Sequence, residues 1–403
     1  MGEFEKKPFE WGGYLELKFE HSDLNQDGVL YSASFHNDRR STLDRFATTL
    51  QLDGSYAKGI ASFNWLGQAT ARQDDISWDD KADIFEAYAS IKPTPVATVD
   101  LGKKVFRWGK GYAWNPAGFI ARPKDPLNPE EALEGYVGAG LDLVKSFSGP
   151  LRTAALTTVV LPVWPGVNED FGEVNQTNLA AKLYLLYRDT DFDFIWYSGD
   201  SRPAGYGMDF SRNVTPNFEI HGELAHVPKQ ETMALAADGS IAPRKRADTS
   251  YLLGLRYLTK NELTTIIEFY HNDDGYTGAE LDLYYQLLVD AEKLFSDSGD
   301  QTLFRKAAAA GLNGYRKPQP GRNYLYVKFS LKEPYDLLYF IPGATAIVNL
   351  DDNSYSLSPE AVYTGFTNWE MRLRFSIING GVFTENGEKQ NSNKLELRVR
   401  YFF

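Results

Sequence analysis

The sequence predicts an all-β protein: a transmembrane antiparallel up-and-down β-barrel of about eighteen strands, with long extracellular loops, one of them helical. Three observations lead there. Apolar and polar residues alternate with period two over segments of about ten residues, the length a tilted strand needs to cross a bilayer. Aromatic residues make up 14% of the 403, with 24 Tyr, 25 Phe and 8 Trp, and 34 Gly accompany them. That is a composition of strands and turns. Finally, connections alternate between tight turns and long polar loops, the asymmetry of a membrane barrel.

The strands follow in order. Trp11, Gly13, Leu15, Leu17 and Phe19 share one face, and Glu16, Lys18 and Glu20 the other. Ala61, Phe63, Trp65, Gly67 and Ala69 oppose Ser62, Asn64, Gln68 and Thr70. Leu179 to Tyr187 and Tyr251 to Tyr257 repeat the pattern, as do Leu325 to Leu331 and Met371 to Ile377. Tight turns are expected at GSYAKG, KPTP, SGP, YRDTD, NVTPN, LTKNE, LKEPYD and FTNWE. Longer loops are expected at 23–40, 73–81, 109–135, 162–176, 227–246, 272–322 and 384–393, with short ones near Gly199 and Asp351. In 109–135, four prolines stiffen the chain, and NPEEALEG reads as a short helix with Asn128 at the N-cap and Pro129 at N1. Such a loop either folds inward to narrow the lumen or caps it from outside; Arg122, Lys124, Asp125 and Glu130 would be its charged groups. In 272–322, Leu281, Tyr284, Tyr285, Leu288, Ala291 and Leu294 recur at helical spacing, which suggests a helical lid over the mouth or, alternatively, an apolar face packed on neighbouring loops.

The chain is read as one barrel domain, 1–403. It has no cysteine, so thiolate metal sites and cysteine nucleophiles are excluded. A net charge of −12 leaves no excess of cations for nucleic-acid phosphates. No run approaches 18 apolar residues, which excludes a transmembrane helix but not membrane strands. The start, MGEFEKKPFEWGG, lacks an apolar signal stretch and reads as a mature chain with an added Met.

The chain ends in LELRVRYFF, where Leu395, Leu397, Val399, Tyr401 and Phe403 alternate with Glu396, Arg398 and Arg400. A sheet in hydrocarbon must close, and this segment reads as the closing strand, both termini on the periplasmic side. A last strand ending in Phe403 resembles those of porin-like Gram-negative outer-membrane β-barrels. The resemblance implies an outer-membrane location, recognition by the barrel-assembly machinery through that strand, and contact with outer-membrane lipid and lipopolysaccharide. Leu101–Tyr136 carries Gly102, Phe106, Arg107, Trp108 and Gly109 before Asn115–Pro116 and a proline-rich loop. That stretch resembles the alginate-export and capsule-assembly group of eighteen-stranded barrels, and implies the fold alone.

Parity places Lys18, Arg372, Arg374, Arg398 and Arg400 on the lumen side of the first and last strands, as one basic stripe. Glu219, Glu223 and Glu268 face the lumen elsewhere, with Glu86, Asp142 and Asp193. The segregation would set a field across a pore; alternatively the charges pair and stiffen the wall. DLNQDG has calcium-loop spacing, with Asp23, Asn25 and Asp27 as candidate Ca²⁺ ligands, but Ser34 stands where a bidentate Glu is needed, and Asx-turn chemistry is the other reading. No other cofactor is expected. His221 between Glu219 and Glu223 is the one candidate for hydrolysis, without an identifiable serine.

The functional expectation is therefore a non-enzymatic channel passing small or anionic polar solutes, or helping to export a polysaccharide. The alternatives are a plugged structural or docking barrel and, third, a membrane-embedded hydrolase.

Overall fold

The computed structural model describes residues 8–403, so the reading of the chain's start lies partly outside the described residues. Every strand pairs antiparallel with its neighbours in sequence, and β1 (Phe9–Leu24) closes the ring on β18 (Asn391–Phe402). Between them run β2 (Thr42–Lys58), β3 (Ala61–Asp74), β4 (Trp78–Thr94), β5 (Ala97–Lys104), β6 (Tyr136–Ser146) and β7 (Leu151–Val163). Then come β8 (Gln176–Tyr187), β9 (Thr190–Ser198), β10 (Gly205–Thr215), β11 (Phe218–Leu235) and β12 (Ile241–Leu258). The ring is completed by β13 (Leu263–His271), β14 (Asn323–Leu331), β15 (Phe340–Asn349), β16 (Tyr355–Tyr363) and β17 (Trp369–Asn379). The sheet is eighteen-stranded, as the alternation predicts.

Because successive side chains point to opposite faces, alternation becomes an outside and an inside. Leu17, Leu373, Leu397 and Tyr401 stand exposed on the outer wall, while Glu396, Arg374 and Arg398 are buried within. Register sets Leu17 beside Val399 and Lys18 beside Arg398. Trp11, Tyr187, Tyr257, Trp369 and Tyr401 are all exposed at the short-turn end, where amphipathic rings suit a bilayer interface. There the hairpins are tight: Arg188 and Asp189 both take positive φ (48° and 58°), the two-residue turn whose twist matches antiparallel strands.

Two expected loops are largely strand. β3 and β4 leave only 75–77 between them, and β11 and β12 continue as a ribbon from Gln230↔Arg246 to Leu235↔Ile241, past a bulge at Val227/Gln230. Beyond the apolar band neither face need be oily, so the alternation lapses while the ladder continues. Three helices occupy the long-loop end: α1 (Val29–Phe35), α2 (Gly278–Ser298) and α3 (Thr302–Ala310). α2 begins at a capping box between Thr277 and Glu280 and ends at Gly299, φ 72°. Its Leu281, Tyr284, Tyr285, Leu288 and Ala291 pack with Leu235 of the ribbon, Val29 of α1 and Phe304 of α3. The cluster thus ties β11–β12 to the β1–β2 connection: the apolar face of α2 packs on neighbouring loops. Among the described residues no helix is long and apolar enough to cross a membrane.

NPEEALEG is not a helix. Asp125 accepts the Leu127 N–H (2.9 Å) and the Asn128 amide (2.8 Å), and Glu131 N–H closes a turn on the Asn128 carbonyl (3.1 Å). The Asn128 side-chain oxygen, which would cap a helix by accepting an N–H of its first turn, accepts instead from Arg372 and Arg374, and its amide is held by Asp125.

Candidate functional site: the lumen and its inner loop

The connection 105–135 folds into the barrel. It leaves β5 with the Val105 N–H on the Glu86 carboxylate (2.9 Å), and then lays Phe106, Trp108, Ala117 and Ile120 on Tyr136, Val159, Leu161, Ala180, Ile195 and Tyr197. Lys110 reaches Asp193 (3.0 Å) and Asp209 (3.8 Å). Glu223 accepts the N–H groups of Lys110 (2.5 Å), Gly111 (2.6 Å) and Ala117 (3.1 Å). Glu268 accepts those of Tyr112 (2.5 Å) and Ala113 (2.8 Å). Trp114 stacks on Tyr270, ring centroids 5.2 Å apart, beside Tyr324 and Tyr326.

The loop then crosses to the basic stripe. Arg374 donates to the Leu127 carbonyl (3.1 Å) and to Asn128 Oδ1 (3.0 Å), which also accepts from Arg372 (3.3 Å). Glu131 accepts from Arg398 Nη1 (2.7 Å) and lies 3.7 Å from Arg400 Nη2. Glu134, paired with Lys103 (2.6 Å), brings the chain back to β6. Arg122 braces this return through the Glu134 carbonyl (2.8 Å) and Asp170, and Lys124 donates to the Gly111 carbonyl (2.6 Å). Of the expected loop charges, Asp125 is exposed and shapes the turn, and Glu130 is exposed and apart from the Arg398–Arg400 contact.

The two walls therefore differ from expectation in one respect. Glu223 and Glu268 are buried beneath the loop and hold it, instead of lining a water path. Glu219 joins them through the Tyr112 hydroxyl (3.2 Å). The stripe, in turn, is extensively paired: Arg374 with Glu360 (2.8 Å) and Glu396 (3.8 Å), Arg400 with Glu16 (2.5 Å), Arg398 with Glu16 (3.7 Å). Lys18, Arg45 and Lys394 all converge on Glu20 (3.7, 3.6 and 2.7 Å). The long cations project past the short acids: side chains of Glu16, Glu20, Glu360 and Glu396 are 4–11% exposed, those of Arg400, Lys18, Lys394 and Arg45 15–34%. Glu86, Glu10, Asp53 and Tyr88 border a cavity of about 450 Å³ on the β1–β4 side.

Sequence reasoning missed Lys394, which the parity of β18 reveals, and Arg45, which needs the register with β1. It also missed Glu131, for which no local signal exists: its arginines lie 267 and 269 positions away along the chain. His221 is fully buried, its Nε2 2.8 Å from Glu268 and its Nδ1 3.6 Å from Glu219, under the ring of Tyr112. It supports the anchor and is closed to a substrate. At DLNQDG, β1 precedes and α1 follows directly, and the Asn25 amide donates to the Gly387 (2.7 Å) and Lys389 (3.2 Å) carbonyls. Asp23 lies 3.7 Å from His21, and among the described residues no three His, Asp or Glu side chains form a metal-holding group.

No family model matches the chain, and no curated protein does. Solved structures match along its whole length. OpdQ of Pseudomonas aeruginosa is 11% identical, with 99% of each chain covered and a TM-score of 0.56. OccAB1 of Acinetobacter baumannii is 9% identical, covering 98% of this chain and 96% of its own, at 0.56. OccK2 (OpdF) of P. aeruginosa, solved in complex with glucuronate, is 10% identical over 98% of each, at 0.54. These matches do not bear on the alginate-export resemblance of Leu101–Tyr136. With the ring closed, the wall apolar and the longest early loop turned inward, the chain has the fold of the porin-type outer-membrane β-barrels.

Proposed function

We propose that this barrel is an outer-membrane diffusion channel of a Gram-negative bacterium whose lumen favours small anionic polar solutes. One observation carries the reading: cationic tips reach into the lumen from β1, β2 and β18, while the carboxylates beside them stay against the wall and those opposite are covered by the inner loop. A solute in that space meets positive charge first, and charge near the path governs selectivity more than a net −12 spread over surfaces beyond a Debye length of about 8 Å. OccK2's complex with glucuronate supports an anionic solute by likeness of fold. Lys18 and Lys394 are the residues to change, since Arg374 and Arg398 are buried and their loss leaves unpaired carboxylates. Lys18→Ser with Lys394→Ser is expected to move the reversal potential in a KCl gradient toward potassium while single-channel conductance persists. Unaltered selectivity in that open double variant contradicts the reading.

A further inference from the structure

We propose that Glu131 is a built-in competitor for the solute's anionic group: it occupies Arg398 and Arg400 when the lumen is empty and is displaced when an anionic solute binds there. The inference rests on the anion-channel reading and adds the residue that sets its affinity. Glu131 differs from every other carboxylate on the stripe. Glu16 and Glu396 are strand residues, 9% and 4% exposed, fixed by the ladders of β1 and β18. Glu131 comes from the inner loop, and its side chain is 45% exposed although it hydrogen-bonds Arg398 at 2.7 Å.

Its backbone does not need to move for the carboxylate to leave. Asn128 holds the turn on Arg372 and Arg374, and the Glu131 N–H is bonded to the Asn128 carbonyl. The side chain alone swings, about its own bonds, out to water. What it leaves behind is a site with direction. Arg398 is 3% exposed and its Nε has no hydrogen-bond partner, while Arg400 stacks over Tyr14, guanidinium carbon 4.6 Å from the ring centroid. Two guanidiniums share one buried wall carboxylate, Glu16, so removal of Glu131 leaves a positive surplus. An incoming carboxylate takes the geometry that Glu131 had, a charge-assisted hydrogen bond to Arg398 with Arg400 alongside.

An internal contact closed about nine-tenths of the time lowers the apparent affinity of an outside anion about tenfold. The competitor thus keeps binding weak enough for release, which conduction requires. It also blocks the site to solutes that do not carry a negative charge.

The test is calorimetric titration of the detergent-solubilised barrel with glucuronate, at fixed salt, for the wild type, Glu131→Gln, Glu131→Ala and Glu130→Gln. Glu130 is on the same turn and exposed, so its variant removes the same charge without touching the contact. Both Glu131 variants are expected to bind glucuronate about tenfold more tightly, and Glu130→Gln to stay within twofold of the wild type. Equal or weaker binding by the Glu131 variants overturns the proposal, as does equal tightening by Glu130→Gln, which would assign the effect to overall charge. Conductance is read separately: tighter binding by Glu131→Gln in a barrel that passes no current keeps the competitor and sinks the channel.

Discussion

His221 and Glu268 meet across a strand that lies between them, and Gly254 is what lets them. In register, His221 of β11 faces Gly254 of β12, which faces Glu268 of β13. A Cβ at Gly254 would stand 2.2 Å from His221 Nε2 and 2.9 Å from Glu268 Cγ. The absent side chain leaves room for the 2.8 Å bridge, and the bridge aims Glu268 at the Tyr112 and Ala113 peptides. Gly254→Ala therefore forces His221 or Glu268 aside, at a cost of about 1–3 kcal/mol for overpacking, and frees that end of the inner loop. The expected result is several-fold faster tryptic cleavage after Lys124 in detergent, with the barrel otherwise intact. An unchanged cleavage rate would show that Glu223 and the loop's other contacts hold it without Glu268. The sequence places His221, Glu223 and Glu268 inward by parity, and that much is correct. Their use as anchors is not legible there, because carboxylates that hold peptide N–H groups look the same in sequence as carboxylates that face water.

Among the elements, α2 and the inner-loop turn make an instructive pair. Both begin with an N-cap residue and an acid in the first turn, yet only α2 forms. Its apolar stripe finds partners on α1, α3 and the ribbon, and tertiary packing decides helix formation. NPEEALEG has no such stripe, and its would-be cap oxygen on Asn128 is taken by Arg372 and Arg374. The ribbon of β11 and β12 was illegible for another reason: its polar residues read as loop once the apolar band is passed. α2 also carries an acid sensitivity. Burial pushes the Glu280 carboxyl up, but the Thr277 N–H, the Arg244 guanidinium and the Thr277 hydroxyl pull it further down, below its ordinary 4.5. A depressed carboxylate contributes stability that is complete above 4.5 and is lost as pH falls through the lower folded value. α2 amides are thus expected to lose protection from hydrogen exchange as pH falls below 4.5, after correction for intrinsic rates. Glu280→Gln should cost about 1 kcal/mol of that protection at pH 7 and flatten the acid dependence. Acid loosening that persists in Glu280→Gln would place its origin elsewhere.

The molecule as a whole is a closed sheet with a helical cluster at its long-loop end and a loop folded inside it. Closure satisfies every strand edge, and the period-two pattern records it, so strand number and short-turn side could be read from residues alone. What fills the lumen could not, because the contacts that fold 105–135 inward join Glu131 to Arg398 and Lys110 to Asp193, pairs remote in sequence. Those contacts also cover Glu223 and Glu268 and leave Lys18, Arg45 and Lys394 partly exposed; on the proposed reading the lumen is then positive against a negative net charge. The reversal potential of the wild-type barrel, measured in a planar bilayer across a tenfold KCl gradient, reads that sign. The expected value lies on the chloride side of zero; a potential on the potassium side, or a folded barrel that passes no current, contradicts the proposed anion channel.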